Sequence, residues 1–169
     1  MGCHAGRMRR WKVAGGLLTK NDGLLLVANR RRNGSVDWST PGGVIDVGES
    51  ALDALSREVT EETNLVVSGW DELCWTVEVD FVDLDMHLHV EVHRAAGWSG
   101  ELAFDDPDGI VHDGGFHDNR GVAERLAGAA RWVAEPLQAW LASDFDGRPH
   151  FRYRATGLAG DLRAERLWP

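Results

Sequence analysis

The chain has 169 residues, of which 43% are hydrophobic, enough for one ordinary domain with a sizeable core and too few for two. Its formal net charge is -9 and its pI about 5.2, which argues against nucleic acid held on a broad basic surface. A bound cation and a few arginines can still make one pocket of such a chain attractive to phosphate.

Cys3 and Cys74 are the only cysteines, so no disulfide framework is implied. The basic start, Met1 to Arg10, lacks an apolar signal-peptide core and reads as a flexible tail, and no run reaches the roughly 18 to 20 apolar residues of a membrane span. The expectation is a cytoplasmic protein without membrane or nucleic-acid partners. Trp11 to Leu18 and Leu24 to Ala28 read as apolar strands joined through Asn21-Asp22-Gly23, a hairpin signal. Gly15-Gly16 inside the first strand implies a bulge or a close backbone approach. Arg30-Arg31-Arg32 closes the second strand. Alternation sends Arg30 and Arg32 to one side, where they either contact phosphates or form a solvated edge. Asn33-Gly34-Ser35 is a loop, and Val36 to Thr40 leads to Pro41-Gly42-Gly43.

Ser50 with Asp53 three positions on resembles a capping box and starts a helix running to about Thr63. At about 100° per residue, Leu52, Leu55 and Val59 share its packing side, while Glu58, Glu61 and Glu62 gather on an adjoining arc. Carboxylates at this spacing repel by a few tenths of a kcal/mol per pair, and at a helix C-terminus they also oppose the macrodipole. A hard divalent cation would reverse that cost; a solvated acidic face is the bland alternative.

After the helix, Leu65 to Val67 and Leu73 to Val82 read as strands interrupted around Ser68 to Asp71. Met86 to Val92 alternates, with Met86, Leu88, Val90 and Val92 on one face and His87, His89, Glu91 and His93 on the other. That second face reads as polar sheet surface in preference to a transition-metal site, because same-face residues on one strand diverge. Trp98 to Phe104 gives a turn and short strand, Asp105 to Gly109 a loop, and Ile110-Val111 and Phe116 strand residues flanking His112 to Gly115. Val122 to Ala130 reads as a short helix, Arg131-Trp132-Val133 as a strand, and Pro136 as the first turn of a last helix over Leu137 to Leu141. A weak helix pattern starts at Asp161. Composition and periodicity alone reach a mixed α and β domain.

Gly43, Glu49, Arg57, Glu58, Val59, Glu61, Glu62 and Leu65 stand at the spacings of the Nudix signature, preceded by Trp38-Ser39-Thr40-Pro41-Gly42. The chain thus resembles the Nudix hydrolases, MutT-like members included. It departs once, with Asn64 where the family has Gly; Asn tolerates the left-handed backbone that a helix end asks for. The resemblance implies an α+β fold, an α/β/α sandwich with a mixed β-sheet, as a Nudix domain over residues 11–143. Residues 144–169 are then an extension packed on the domain or on a partner subunit, with a homodimer as one outcome.

The implied activity is hydrolysis of the diphosphate linkage of a nucleoside diphosphate-X compound, by metal-activated water attacking phosphorus. The noncanonical or oxidised nucleoside triphosphates, nucleotide sugars and ADP-ribose are the substrate candidates. Mg²⁺ is the implied cofactor, with Mn²⁺ able to substitute. The resemblance carries metal binding onto Glu58, Glu61, Glu62 and the Gly42 carbonyl, with Glu124 preferred over Asp118 as a further ligand. Glu58 is favoured as general base, Glu62 shares the catalytic role, and Arg57 orients a glutamate, Glu49 or one of the helix trio. Arg30, Arg32 and Gly43 are the substrate-binding candidates, and Trp11, Trp38 and Phe81 the candidate stacking partners for a base. The rival is a nucleotide-sensing Nudix module that binds without cleaving; the presence of every box carboxylate favours the enzyme.

Overall fold

The computed structural model describes residues 8–144 and 147–167; most of the expected N-terminal tail, with Cys3, lies outside them. In chain order the elements are β1 (Arg9–Leu17), β2 (Thr19–Lys20), β3 (Gly23–Arg30), β4 (Val36–Ser39), β5 (Gly42–Val44), α1 (Ala51–Thr63), β6 (Val66–Phe81) and β7 (Met86–Ser99). They continue with β8 (Val111–His117), α2 (Asn119–Arg125), α3 (Arg131–Leu141), β9 (His150–Thr156) and β10 (Arg163–Leu167).

A six-stranded mixed sheet has the order β10-β9-β6-β7-β1-β5, and a smaller sheet joins β2, β3, β4 and β8 around β3. Strand β1 runs parallel to β7 and antiparallel to β5, with Ala14 opposite Gly43 and Gly15 opposite Gly42. One core layer joins the large sheet to β3 and α3 through Trp75, Val77, Val79, Phe151 and Tyr153 against Leu24, Leu26 and Leu137. The second seats α1 through Leu55 and Val59 on Ala14, Leu18 and Leu25. Helices thus lie on both faces, the sandwich that the resemblance implied.

The hairpin forms where expected, with Asn21 and Asp22 at φ 49° and 63°, the twin positive values of a type I′ turn. Helix α1 is capped by Ser50, whose side chain accepts from the Asp53 amide. Its end is the left-handed Asn64 (φ 62°, ψ 8°), whose amide returns to Thr60 and whose side chain donates to the Glu101 carbonyl. Leu52 departs from expectation: it is exposed, and Ala54 takes the packing position beside Leu55.

Other elements were misplaced by local pattern. Strand β1 begins at Arg9, because β7 offers partners as far back as Met86. Strand β6 passes through Ser68 to Asp71 unbroken, absorbing the interruption as register shifts against β7. Strand β7 runs on through Trp98, and β8 spans His112 to Gly115 because β3 supplies its ladder. Helix α2 begins at Asn119, capped by Asp118. The expected strand Arg131-Trp132-Val133 is the first turn of α3, and Pro136 sits in the helix interior. Two apolar neighbours are too short a run to separate strand from helix, and burial of Ala134 and Leu137 against the sheet decides for helix. The weak helix pattern from Asp161 yields to strand: β9 adds parallel to β6, and β10 pairs with β9.

The α1 terminus makes the first test. Asn64→Val places a β-branched residue in the left-handed region and should lower unfolding free energy by about 1–2 kcal/mol in urea titration, while Asn64→Gly stays within about 0.5 kcal/mol. Equal stability of all three proteins would contradict the cap assignment.

Candidate active site

The site forms where the second half of α1 meets β5. An added Cβ on Gly43 would lie 2.4 Å from the Glu58 carboxyl carbon, and one on Gly42, at φ 149°, 2.1 Å from the Ala14 carbonyl oxygen. At Gly42 only glycine lets β5 lie this close to the β1 backbone, and at Gly43 the missing side chain makes room for the Glu58 carboxylate. The Gly42 amide donates to Glu62 Oε2 at 2.9 Å.

Arg57 binds the carboxylates together. Its Nε and Nη2 donate to the two Glu49 oxygens, both at 3.0 Å, a bidentate pair. Nη1 donates to Glu58 Oε1 at 2.8 Å and reaches Glu61 Oε2 at 3.4 Å, and Nη2 also contacts the Val44 carbonyl at 3.4 Å. Both glutamates that the sequence proposed for Arg57 to orient, Glu49 and a member of the trio, are therefore held at once.

The electrostatics separate these acids. The Arg57 hydrogen bonds hold Glu49 below the usual carboxylate range, and the same bonds to Glu49 and Glu58 raise the guanidinium. Burial raises Glu58 despite Arg57, with the charges of Glu61 and Asp106 adding to the rise. Burial pushes Glu62 up to about 8; the Gly42 amide opposes this, and Glu58, Asp106 and Glu61 reinforce it. Two half-buried acids that resist ionisation beside further carboxylates form a site short of positive charge.

Asp106 was missed by sequence reasoning, which read Asp105 to Gly109 only as a loop. Its Oδ2 accepts from the Ile110 and Val111 amides and its Oδ1 from Asp108, so the loop holds its carboxylate in place. The signal was the acid run Asp105-Asp106-Pro107-Asp108, but nothing local ties it to a helix some 45 residues earlier. Of the acids weighed from sequence, Asp118 caps α2 through the Gly121 amide, and Glu124 is an exposed partner of Arg120 at 2.9 Å. Neither is among the charges that act on Glu58 and Glu62, which favours Asp106 over both.

Arg30 and Arg32 are exposed on the β3–β4 hairpin, with no side-chain contact to the carboxylate cluster among the described residues, whereas Arg31 pairs with Asp37 at 2.6 Å. On the histidine face, His87 meets Asp80 at 2.7 Å and His89 lies between Glu78 and Glu91, both partly buried, while His93 is buried and contacts Glu91 at 3.3 Å.

A family model described as the NUDIX domain matches residues 9–133. The chain belongs to the Nudix hydrolase family. An RNA pyrophosphohydrolase of Sphingopyxis alaskensis is 39% identical over 75 residues, 44% of this chain and 48% of that protein. A MutT-like protein of Streptomyces ambofaciens is 41% identical over 58 residues, 34% of this chain and 36% of the relative. The matches thus span half or less of these curated relatives. Among solved structures, a MutT protein from Bacillus halodurans shares the fold at a TM-score of 0.62 and 20% identity, over 92% of this chain and 97% of that one. An ADP-ribose pyrophosphatase from Streptococcus suis gives 0.51 and 23%, over 84% and 97%.

Nudix hydrolases generally use divalent metals, and the oxygen donors here suit a hard cation. As they stand, Glu58 is held by Arg57 and Glu62 by the Gly42 amide, and no three acidic, histidine or cysteine side chains among the described residues are arranged as a ready metal cage. The donor chemistry fits such a cation.

A proton follows from this geometry. With Glu62 raised from its ordinary 4.5 to about 8, the folded metal-free chain keeps a proton that the unfolded chain releases. Stability should be full below about pH 4.5 and fall as pH rises toward 8, by on the order of 2 kcal/mol after allowing for partial exposure. In EDTA, Glu62→Gln should remove most of the decline in melting temperature between pH 5.5 and 8.5. An unchanged decline in the variant would show that Glu62 is not its source.

Proposed function

We propose that this chain is a Mg²⁺-dependent hydrolase that cleaves the diphosphate linkage of a nucleoside diphosphate-X compound. The observation that carries the reading is the arrangement around Gly42 and Gly43: Glu62 on the Gly42 amide, Glu58 against the side-chain-free Gly43, and Arg57 spanning Glu49 and Glu58. A structural helix gains nothing from collecting raised-pKa acids at its C-terminus.

When bound, the divalent cation neutralises diphosphate oxygens and acidifies a water. Glu58, Glu61, Glu62 and the Gly42 carbonyl are the proposed ligands, with Asp106 in the place that Asp118 and Glu124 were weighed for. Arg57 holds Glu58 Oε1 and so fixes the carboxylate that takes the proton as the water oxygen bonds to phosphorus. The P–O bond to the bridging oxygen breaks, and the leaving phosphate carries away the electron pair. Arg57 fixes the direction of Glu58, and Glu49 fixes Arg57. Arg30 and Arg32 remain the proposed outer phosphate contacts, being exposed and unpaired among the described residues.

The names of the relatives widen the panel. Purified full chain is assayed with Mg²⁺ and with Mn²⁺ against canonical and oxidised nucleoside triphosphates, nucleotide sugars, ADP-ribose and 5′-triphosphorylated RNA. The expected result is metal-dependent hydrolysis of at least one class, with Glu62→Gln and Glu58→Gln each lowering kcat by at least about a hundredfold. Near-normal turnover in Glu62→Gln would remove it from the ligand set. Silence across the panel, with nucleotides still raising the melting temperature, would establish the sensor reading instead.

A further inference from the structure

The family match ends at residue 133, just inside α3, and strands β9 and β10 lie beyond it. Helix α3 is poorly equipped to stand alone. Its N-cap, Ala130, offers no side-chain acceptor, and Pro136 in its interior cannot give the Trp132 carbonyl the amide bond that the i→i−4 ladder requires. The first turn, which carries Trp132 and Val133, therefore lacks part of its own hydrogen bonding.

The C-terminal strands supply bonds there from outside. Arg131 Nη1 donates to the Ala164 carbonyl of β10 at 3.0 Å, and Arg131 Nε donates to Glu135 Oε1 at 2.5 Å, one turn on. The other Glu135 oxygen accepts from the Tyr153 hydroxyl of β9 at 3.0 Å. Tyr153 is 1% exposed, fixed by the parallel pairing of β9 with β6 that sets it opposite Val79. Both oxygens of Glu135 are thus used, one toward the helix start and one toward the strand. Burial and the Glu135 bond hold the Tyr153 hydroxyl above its ordinary range, so it stays a donor.

The helix so held is a wall. Trp132, Val133 and Leu137 line an apolar cavity of about 210 Å³ that Gly42 also lines, and the Gly42 amide is the one that holds Glu62. Of the rings weighed from sequence, Phe81 meets Trp132 edge-on at 5.3 Å, whereas Trp11 is exposed and Trp38 lies under Arg125. Arg131, Glu135 and Tyr153 make no hydrogen bond or ion pair with the α1 carboxylates among the described residues.

Building on the proposed hydrolase, we propose that β9 and β10 are a brace for α3 and that Glu135 is its positioning residue, joining Tyr153 to Arg131 so that the helix wall beside Gly42 keeps its place. The C-terminal strands thereby set how firmly substrate is held, while the α1 carboxylates do the chemistry. Loss of the brace should raise KM and leave kcat nearly unchanged.

The test uses the full chain with Glu135→Ala, Glu135→Gln and Tyr153→Phe. Amide hydrogen exchange, read without substrate or metal, should quicken about tenfold over residues 132–141 in Glu135→Ala with α1 unchanged, because Tyr153 and Arg131 both lose their acceptor. Glu135→Gln, which still accepts from Tyr153, should restore most of the protection, and Tyr153→Phe should fall between. On the fastest substrate of the hydrolysis panel, Glu135→Ala should raise KM about three- to tenfold with kcat within about twofold. Unchanged α3 exchange, equal quickening in α1, no rescue by Glu135→Gln, or a fall in kcat in place of the rise in KM would each overturn the proposal. Exchange needs no turnover, so α3 quickening in a chain that hydrolyses nothing would sink the hydrolase reading and leave the brace itself standing.

Discussion

Two missing β-carbons set the geometry of this protein. Without side chains at Gly42 and Gly43, β5 can lie against both the β1 backbone and the Glu58 carboxylate. That closeness brings α1 down so that Glu62 meets the Gly42 amide and Arg57 reaches back to Glu49. A methyl at Gly42 would meet the Ala14 and Gly15 backbone and force β5 from β1, whereas one at Gly43 would turn the Glu58 carboxylate away from the strand.

The cost of that arrangement is electrostatic. Acids crowd a helix C-terminus in partial burial, and among the described residues one arginine, Arg57, pairs with them. The strain resolves by splitting their protonation: Glu49, paired bidentately, is held ionised, while burial favours the neutral form of Glu62. A group that binds a cation in exchange for a proton couples its affinity to pH. Gly42 also borders an apolar cavity walled by Trp75 and Trp132.

The parts of the structure legible in the sequence are those whose partners are near in the chain. The Ser50 cap, the left-handed Asn64 and the Glu58, Glu61 and Glu62 arc all follow from spacing within one helix. Asp106 was invisible because its relation to Glu62 is made by strands β6 and β7 folding back, not by any local pattern. Trp132 was misread as strand for a related reason: burial against the sheet overrides a two-residue preference. The same force turns the helix expected from Asp161 into β10, which pairs with β9 along the edge that β6 presents.

The most direct measurement is the number of protons released when Mg²⁺ binds, from calorimetry at pH 7 in two buffers of different ionisation enthalpy. With Glu62 near 8 before the ion arrives, the account predicts release of about one proton per bound cation, abolished in Glu62→Gln. Binding without proton release would mean that Glu62 is already ionised or takes no part, and would contradict the central claim.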